Sequence, residues 1–349
     1  MVLLGLGVVV IYSSSAIYAF ERFGSSTYFL SRQMMWIALG LMSGLFFTFY
    51  HHEKLKDWVK PALVVCIVLL IAVLFFGRTV GGARRWLRFG GIGFQPSEFV
   101  KLALILYTAY YCDRKRSKIV DFKRGLLPLL GVVGLFCGLI FLQPDLGTPV
   151  LIFMTCMTVA LIGGARLKHL GLMVLGAIPL IFTAGWASPY RRQRMLSFWD
   201  PWENAQGASY QLVQSLLALG YGGLTGTGLG ASKSKLLYLP EPHTDFIFPV
   251  FGEEFGLLGS WLIIGLFAGL AWCGYKVAAR AQNLFSSLVA SGITLLVLYQ
   301  AIINIAMVTG CVPTKGLPLP FISFGGSSLV VTLSAMGILL NISRNVQRT

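Results

Sequence analysis

The sequence predicts an all-α polytopic membrane protein with about ten transmembrane helices and a long extracytoplasmic loop between the seventh and the eighth. Hydrophobic residues make up 56% of the 349 residues and charged residues only 12%, whereas soluble domains are about one-quarter charged. Apolar runs of the roughly 20 residues that a helix needs to cross a bilayer recur along almost the whole chain. We therefore treat residues 1–349 as one membrane domain.

The apolar runs define the predicted helices in order, and one long polar segment, residues 188–254, separates the last three from the first seven. The first run ends in small residues, as a signal peptide does. It lacks a basic segment at its start, so we interpret it as a retained helix. The predicted helices span residues 2–20, 33–50, 61–77, 97–112, 125–142, 147–164, 170–187, 255–275, 285–308 and 327–343.

Basic residues are divided unevenly between the two sets of alternating loops. Fifteen of the 28 Lys and Arg residues fall in one set, and most of the others lie in two polar segments, 78–96 and 188–254. The positive-inside rule therefore places the first set and both termini in the cytoplasm, so that segment 188–254 faces outward. This topology and anionic lipid explain the net charge of +15 better than nucleic acid does, and we expect no nucleic-acid partner.

Three charged residues lie at the outward ends of two predicted helices. Glu98 and Asp145 each follow a Gln-Pro pair, and an acidic residue in a first turn complements the positive end of a helix. Lys101 lies on the same helix face as Glu98 and within an apolar run, so we expect the two to form an ion pair. Each of the three residues is either structural or part of a polar pocket wall, and their spacing does not decide between these roles.

The long outward segment begins with three arginines within four residues, Arg191, Arg192 and Arg194, which lie among aromatic residues. Their position breaks the positive-inside pattern. Arginine binds phosphate oxygens in a bidentate manner, so an anionic substrate group is one explanation for the cluster. Contact with anionic lipid headgroups is the other.

A glycine-rich run, Gly220 to Gly230, comes next and is followed by Lys233 and Lys235. It lacks the Gly-Lys-Ser/Thr ending of a nucleotide-binding loop. Two explanations for the glycines remain open: a backbone that passes close to a bulky ligand, or tight turns between short re-entrant helices.

Asp245 lies between a polar turn and an aromatic run at the start of the eighth predicted helix. A partly desolvated carboxylate that can be reached from outside is suited to act as a general base on a sugar hydroxyl. The alternative is a helix N-cap, for which Asp is a favoured residue.

Lys315 is a single cation in the last outward loop, whose prolines and glycines predict irregular backbone that lines a cavity.

Histidine and cysteine give no metal site. The four histidines are scattered along the chain, and none of the six cysteines has the spacing of metal ligands. We predict no metal-ligating cluster of protein side chains.

Several motifs together resemble the SEDS family of peptidoglycan glycosyltransferases, the group of FtsW, RodA and SpoVE. They cover most of the chain in family order, and some are more similar to the FtsW branch, although the SpoVE branch is close. The general motifs are Gln95-Pro96-Ser97-Glu98 with Lys101, Gln143-Pro144-Asp145-Leu146-Gly147, Tyr210-Gln211 through Gly230, Pro240-Glu241-Pro242-His243-Thr244-Asp245-Phe246, Gly252-Glu253-Glu254-Phe255-Gly256, and Leu319-Pro320-Phe321 through Ser328. Those closer to FtsW are Tyr190-Arg191-Arg192, Phe198-Trp199-Asp200-Pro201-Trp202 and Pro313-Thr314-Lys315-Gly316.

The resemblance implies ten helices and polymerisation of lipid II, an undecaprenyl-pyrophosphate-linked disaccharide-peptide, on the outer face of the bacterial cytoplasmic membrane. It implies a class B penicillin-binding protein as partner, with other membrane proteins of the division machinery, and it assigns the essential aspartate of the family to Asp245. A divalent cation, Mg²⁺ or Mn²⁺, is a further candidate for stabilising the pyrophosphate. The predicted substrate-binding residues are Glu98, Lys101, Asp145, Arg191, Arg192, Arg194, Lys233, Lys235, His243, Lys315 and Ser323.

Two other classes of function stay open. A lipid II flippase needs intramembrane charges spread along a path to both faces, whereas the sequence indicates only Glu98 and Lys101 well inside a span. A non-catalytic division scaffold would not require a carboxylate, a glycine-rich segment and cations on one outward surface. The resemblance to the FtsW branch implies septal cell-wall synthesis in cell division, and an elongation- or sporulation-type enzyme is the alternative.

Overall fold

The computed structural model describes residues 1–80, 83–89, 92–169, 171–173, 175–176, 179, 198–203, 205–207, 209–235, 239, 242–314 and 316–346. Among these residues, six helices are long and apolar enough to cross a membrane, and a shorter apolar helix accompanies them. The predicted polytopic helical fold is confirmed. The seventh predicted helix, 170–187, lies largely outside the described residues, so the count of ten stays a prediction.

One helix lies in the predicted loop 188–254 and was not predicted, and the others follow the predicted order. The helices are α1 (Val2–Phe23), α2 (Tyr28–Phe49), α3 (Leu55–Phe76), α4 (Pro96–Arg114), α5 (Leu127–Phe141), α6 (Gly147–Ile162), α7 (Tyr210–Gly222), α8 (Ile247–Ala279), α9 (Leu284–Val308) and α10 (Gly326–Val346). A 3₁₀ turn, His52–Lys54, precedes α3, and a π-helical turn, Phe122–Leu126, precedes α5.

Two helices begin several residues earlier than predicted. Helix α2 begins at Tyr28 rather than 33, and α3 begins at Leu55 rather than 61, because each continues through charged residues that interrupt the apolar run. Element α8 begins at Ile247 but is broken at Gly256, so its second part begins close to residue 255, where the eighth helix was predicted. Apolar composition marks only the part of a helix that is compatible with lipid. The helix itself can continue through polar residues whose side chains reach solvent or hydrogen-bond partners.

The all-α prediction missed a small antiparallel sheet between α3 and α4. Strand β2 (Ala83–Phe89) pairs with β1 (Arg78–Val80) on one side and β3 (Ile92–Phe94) on the other. Gly-Gly dipeptides separate the three strands in the sequence, and they are a hairpin signal. Arg85 of β2 donates hydrogen bonds to the backbone carbonyls of Gln143, at 3.2 Å, and Pro144, both next to α6.

The chain forms two compact units. The first comprises Met1–Met35, Val174–Gly269 and Gln300–Gly325, and the second comprises Trp36–Met173, Leu270–Tyr299 and Gly326–Thr349. The core of the second unit surrounds α4, most of whose residues are buried. A helix that is buried on all sides places its polar residues in the protein interior, where they need partners. The prediction of a single domain stays a prediction.

Helix α7 lies inside the segment 188–254 that the sequence predicts as a loop. It is amphipathic and short, and Ser215 on its buried side donates a hydrogen bond to the Val308 carbonyl at 2.6 Å. The predicted outward loop therefore contains at least one ordered helix and the first eight residues of α8.

Candidate active site

Asp245 lies in an irregular segment, residues 242–246, directly before α8. Its side chain is half-buried, whereas the next residue, Phe246, is buried. The carboxylate is therefore partly desolvated and still accessible, which is the environment that the general-base prediction requires.

Two hydrogen bonds from distant parts of the chain fix the backbone of this segment. The Phe324 N–H donates to the His243 carbonyl at 2.9 Å. The Asn304 side-chain amide of α9 donates to the Asp245 carbonyl, also at 2.9 Å. The sequence analysis did not identify Asn304. A buried amide near the end of an apolar helix is the signal that indicates such a residue, because polar side chains connect elements inside a bilayer.

His243 is enclosed by aromatic rings. The ring of Phe29 lies 4.1 Å away and those of Phe324 and Tyr18 lie 5.7 and 5.8 Å away, measured between ring centroids. Burial lowers the pKa of His243 to about 4, so the imidazole is neutral at pH 7. Its predicted role in substrate binding stays a prediction, and any such role belongs to a neutral group.

The glycine-rich run packs against a break in helix α8. Gly256, with φ of 67° and ψ of −164°, interrupts the helix and leaves the next amides without helical partners. The Leu257 and Leu258 N–H groups instead donate to the carbonyls of Gly223, at 2.9 Å, and Leu224, at 3.2 Å. Irregular backbone at this position is satisfied by protein, as a membrane interior requires.

Close backbone contact explains the glycines themselves. Gly226 has φ of +84°, and a Cβ atom built on it would lie 2.2 Å from the Glu254 carbonyl oxygen. The next residue, Thr227, donates its N–H to the Glu253 carbonyl at 2.9 Å. Of the two explanations for this run, the structure supports tight turns, with α8 as the surface that the backbone approaches.

Glu253 holds the segment that follows the glycines. One carboxylate oxygen accepts the Lys233 N–H at 2.8 Å. The other accepts the hydroxyl of Ser232 at 2.6 Å, the N–H of Ser234 at 3.3 Å and the Ser234 hydroxyl. Glu253 is buried, whereas Lys233 is exposed.

Glu254 forms a buried ion pair with Lys235. Their Nζ and Oε1 atoms are 3.2 Å apart, and the Ser13 hydroxyl donates to the same oxygen at 2.5 Å. The Lys235 ammonium also contacts the Ser13 hydroxyl and the Gly230 carbonyl. Its charge is thus already matched by a carboxylate, whereas no ion pair of Lys233 occurs among the described residues. Substrate binding by Lys233 and by Lys235 stays a prediction.

Glu253 and Glu254 are buried charges that the sequence did not indicate. Both lie in the part of α8 before the break at Gly256, next to the predicted start of the eighth helix at residue 255. In the sequence, two adjacent acidic residues flanked by glycines resemble a polar turn. The hydrogen bonds and the ion pair that their carboxylates accept come from residues about 20 positions earlier.

The second unit holds the other predicted charged residues. Glu98 and Lys101 form the expected ion pair, with 2.7 Å between Oε2 and Nζ and both side chains buried. Asp145 is buried and accepts the N–H groups of Gly147 and Thr148 and the Thr148 hydroxyl. It therefore caps the start of α6, as its structural interpretation requires, and its role in substrate binding stays a prediction.

The remaining predicted substrate-binding residues are Ser323 and four cations. Ser323 is buried, and its hydroxyl accepts the Leu319 N–H at 2.8 Å within one turn of the loop between α9 and α10. Among the described residues, no group of three His, Cys, Asp or Glu side chains is arranged to hold a metal ion. The other predicted cations, Arg191, Arg192, Arg194 and Lys315, lie outside the described residues.

Comparisons with known proteins cover the whole chain. The family model described as "Cell cycle protein", for FtsW, RodA and SpoVE, matches residues 1–348. The chain is 42% identical to stage V sporulation protein E of Bacillus subtilis, covering 99% of this chain and 94% of that protein. It is also 42% identical to the probable peptidoglycan glycosyltransferase FtsW of Coxiella burnetii, covering 98% and 93%.

Solved structures agree with these sequence matches. A chain from a structure of a peptidoglycan synthase complex, described as coordinating polymerisation and crosslinking, matches with a TM-score of 0.78 and 27% identity over 99% of this chain and 98% of that one. The rod shape determining protein RodA of Thermus thermophilus matches with a TM-score of 0.73 and 28% identity, over 99% and 94%.

Proposed function

Because this chain belongs to the FtsW/RodA/SpoVE family of cell cycle proteins, we propose that it is a peptidoglycan glycosyltransferase that polymerises lipid II. The observation that carries the proposal is Asp245, a half-buried carboxylate on a segment whose backbone is fixed by two other elements. We place the reaction at the outer face of the cytoplasmic membrane, with both termini inside, on the distribution of basic residues.

The reaction is a single displacement at the anomeric carbon of the donor sugar. The 4-hydroxyl oxygen of the acceptor forms the new bond to this carbon, and its proton passes to the Asp245 carboxylate. The bond from the same carbon to the pyrophosphate oxygen breaks, and the pyrophosphate leaves with the electron pair. Positioned general-base catalysis of this kind contributes about 10²–10⁴-fold.

The leaving pyrophosphate requires positive charge. Lys233 is a candidate within the described residues, because it is exposed and its backbone is anchored by Glu253. The cations Arg191, Arg192, Arg194 and Lys315 are further candidates on their positions in the sequence. Lys235 is a weaker one, since Glu254 already matches its charge.

A divalent cation fits this chemistry without a preformed cage of protein ligands. Mg²⁺ commonly binds through one or two carboxylates together with substrate phosphates. Asp245 is one accessible carboxylate of the outward segment, and the substrate supplies the pyrophosphate oxygens. When bound, such an ion would stabilise the negative charge of the leaving group.

A class B penicillin-binding protein is the proposed partner, with other membrane proteins of the division machinery. The match to a chain of a complex that couples polymerisation with crosslinking supports a partner of this kind. Relatives at the same identity are named for sporulation and as FtsW. We propose the septal role on the motifs closer to FtsW.

The test is polymerisation of purified lipid II by the full chain together with its transpeptidase partner. The wild-type protein should form glycan strands, and Asp245→Asn should form them about 10²–10⁴-fold more slowly while remaining folded. Asp200→Asn is the matched control, because Asp200 is an exposed aspartate in the same outward segment and Asn preserves its bonds to the amides of Trp202 and Glu203. Polymer from Asp245→Asn at the wild-type rate would show that the base is assigned wrongly.

Transport of lipid II is the second candidate, and the buried carboxylates of α8 favour it more than the sequence did. A flippase would move labelled lipid II across vesicle membranes without forming polymer, and Asp245→Asn would leave that movement unchanged. A protein that does neither, but retains its partner through purification, would be a scaffold.

A further inference from the structure

We propose that Asn304 is a positioning residue for Asp245, an inference that rests on the function proposed above. Asn304 lies on α9 and is completely buried. Its amide nitrogen donates to the Asp245 carbonyl at 2.9 Å and to the Leu317 carbonyl at 2.7 Å. One side chain thus connects the segment that carries the carboxylate with the last outward loop.

The chemistry of the two partners fixes the orientation of this amide. Both are backbone carbonyl oxygens, which accept hydrogen bonds only from the NH₂ group of the side chain. Neither carbonyl belongs to a helix or a strand, so neither has the partner that regular structure supplies. The Asn304 Oδ1 atom has no hydrogen-bond partner in the part of the chain that the structure describes. The side chain therefore acts as a donor of two hydrogen bonds to otherwise irregular backbone.

The support that Asn304 provides is rigid. Helix α9 has 25 residues, and Gln300, one turn before Asn304, donates to the Pro318 carbonyl at 2.8 Å. Two successive turns of one helix thus hold the 317–318 backbone, and one of them also holds Asp245. Functional groups placed by regular elements are held more closely than groups on unsupported loops.

Asn304 contacts the Asp245 backbone in these bonds, so its loss should move the carboxylate relative to the acceptor hydroxyl. Displacement of a reacting group by about 1 Å costs on the order of 10²-fold in rate. Binding of the lipid-linked substrate uses many other contacts and should change much less. A reduction in kcat with little change in KM is therefore the signature of positioning.

The experiment compares wild type, Asn304→Leu and Asn304→Ser in lipid II polymerisation. Leucine keeps the branching and the number of heavy atoms and removes both donors, whereas serine keeps one donor. We expect kcat to fall about 10²-fold in Asn304→Leu with KM within about threefold, and to fall less in Asn304→Ser. Ser215→Ala is the matched control, because it removes one buried hydrogen bond to Val308, at the end of the same helix, and should keep the wild-type kcat.

Hydrogen exchange of residues 242–247 gives a second measurement that does not depend on activity. Faster exchange there in Asn304→Leu, and wild-type exchange there in Ser215→Ala, is expected. If wild type polymerises and both Asn304 variants keep its kcat, the inference is overturned. If wild type makes no polymer, the proposed function fails by itself, and unchanged exchange at residues 242–247 in Asn304→Leu would overturn the positioning role separately. Should Asn304→Leu not fold, Asn304→Ser decides the outcome by the same two measurements.

Discussion

The buried charged side chains of the two compact units are satisfied in different ways. In the second unit the partners of Glu98 and Asp145 are close in sequence, although neutral His52 and Gln143 of that unit bond to distant residues. Glu98 pairs with Lys101 one helical turn later, and Asp145 accepts hydrogen bonds from Thr148 at the same spacing. These contacts form as soon as the local helix forms.

In the first unit the partners come from distant parts of the chain. Glu254 pairs with Lys235, 19 positions earlier, and with Ser13, 241 positions earlier. Asn304 bonds to the backbone of Asp245, 59 positions away. These contacts exist only in the assembled fold. The segment that carries the proposed catalytic residue thus depends on tertiary structure, whereas the charged residues of the second unit depend mainly on helix formation.

The largest expected effect on stability comes from removing one partner of a buried pair. Lys235→Met leaves the Glu254 carboxylate buried without its cation, which should cost about 3–5 kcal/mol in the free energy of unfolding. Lys101→Met should cost a similar amount, because both pairs are buried. Unfolding in detergent measures both. Lys56→Met is the control, because the Lys56–Asp113 pair is about one-third exposed and should contribute only about 0–1 kcal/mol.

The location of the damage should differ between the two pairs. Lys235→Met should increase hydrogen exchange at residues 230–235 and near Ser13, since the pair connects these elements. Lys101→Met should affect mainly its own turn of α4. Exchange that spreads equally far in both variants would contradict the distinction between local and long-range pairing.

His243 should make the first unit sensitive to acid. Its pKa of about 4 in the folded protein lies below the value of about 6.5 in the unfolded chain. The unfolded state therefore binds more protons between these values, and stability should fall as the pH drops from about 6.5 to 4, by on the order of 3 kcal/mol. His243→Phe should remove this part of the pH dependence. Parallel curves of unfolding free energy against pH for the two proteins would contradict the account.

The smallest effect is expected at the local cap of α6. Asp145→Ala should destabilise the protein by about 1–2 kcal/mol, whereas Asp145→Asn should retain most of the stability, because Asn is an equally good cap. Thermal unfolding of the two variants measures the difference. If Asn is as damaging as Ala, the Asp145 charge has a role beyond capping.

The predictions succeeded where a pattern is local. Apolar runs located the described helices other than α7 to within several residues, and the spacing of Glu98 and Lys101 predicted their ion pair. The predictions failed where the hydrogen-bond partners of a buried group are distant in the sequence. Glu253 and Glu254 resemble a polar turn, because the sequence does not show that residues 232–235 bond to their carboxylates. Asn304 carries no local signal that identifies its partner, because the Asp245 carbonyl approaches it only in the fold.

The most direct test of the central claim separates substrate binding from chemistry at Asp245. Lipid II affinity and single-turnover polymerisation are measured for wild type and Asp245→Asn, each with the transpeptidase partner. The account predicts that Asp245→Asn binds lipid II with the wild-type Kd and that its rate of bond formation falls by about 10²–10⁴-fold. Wild-type rates of bond formation in Asp245→Asn would contradict the claim that this carboxylate carries out the reaction.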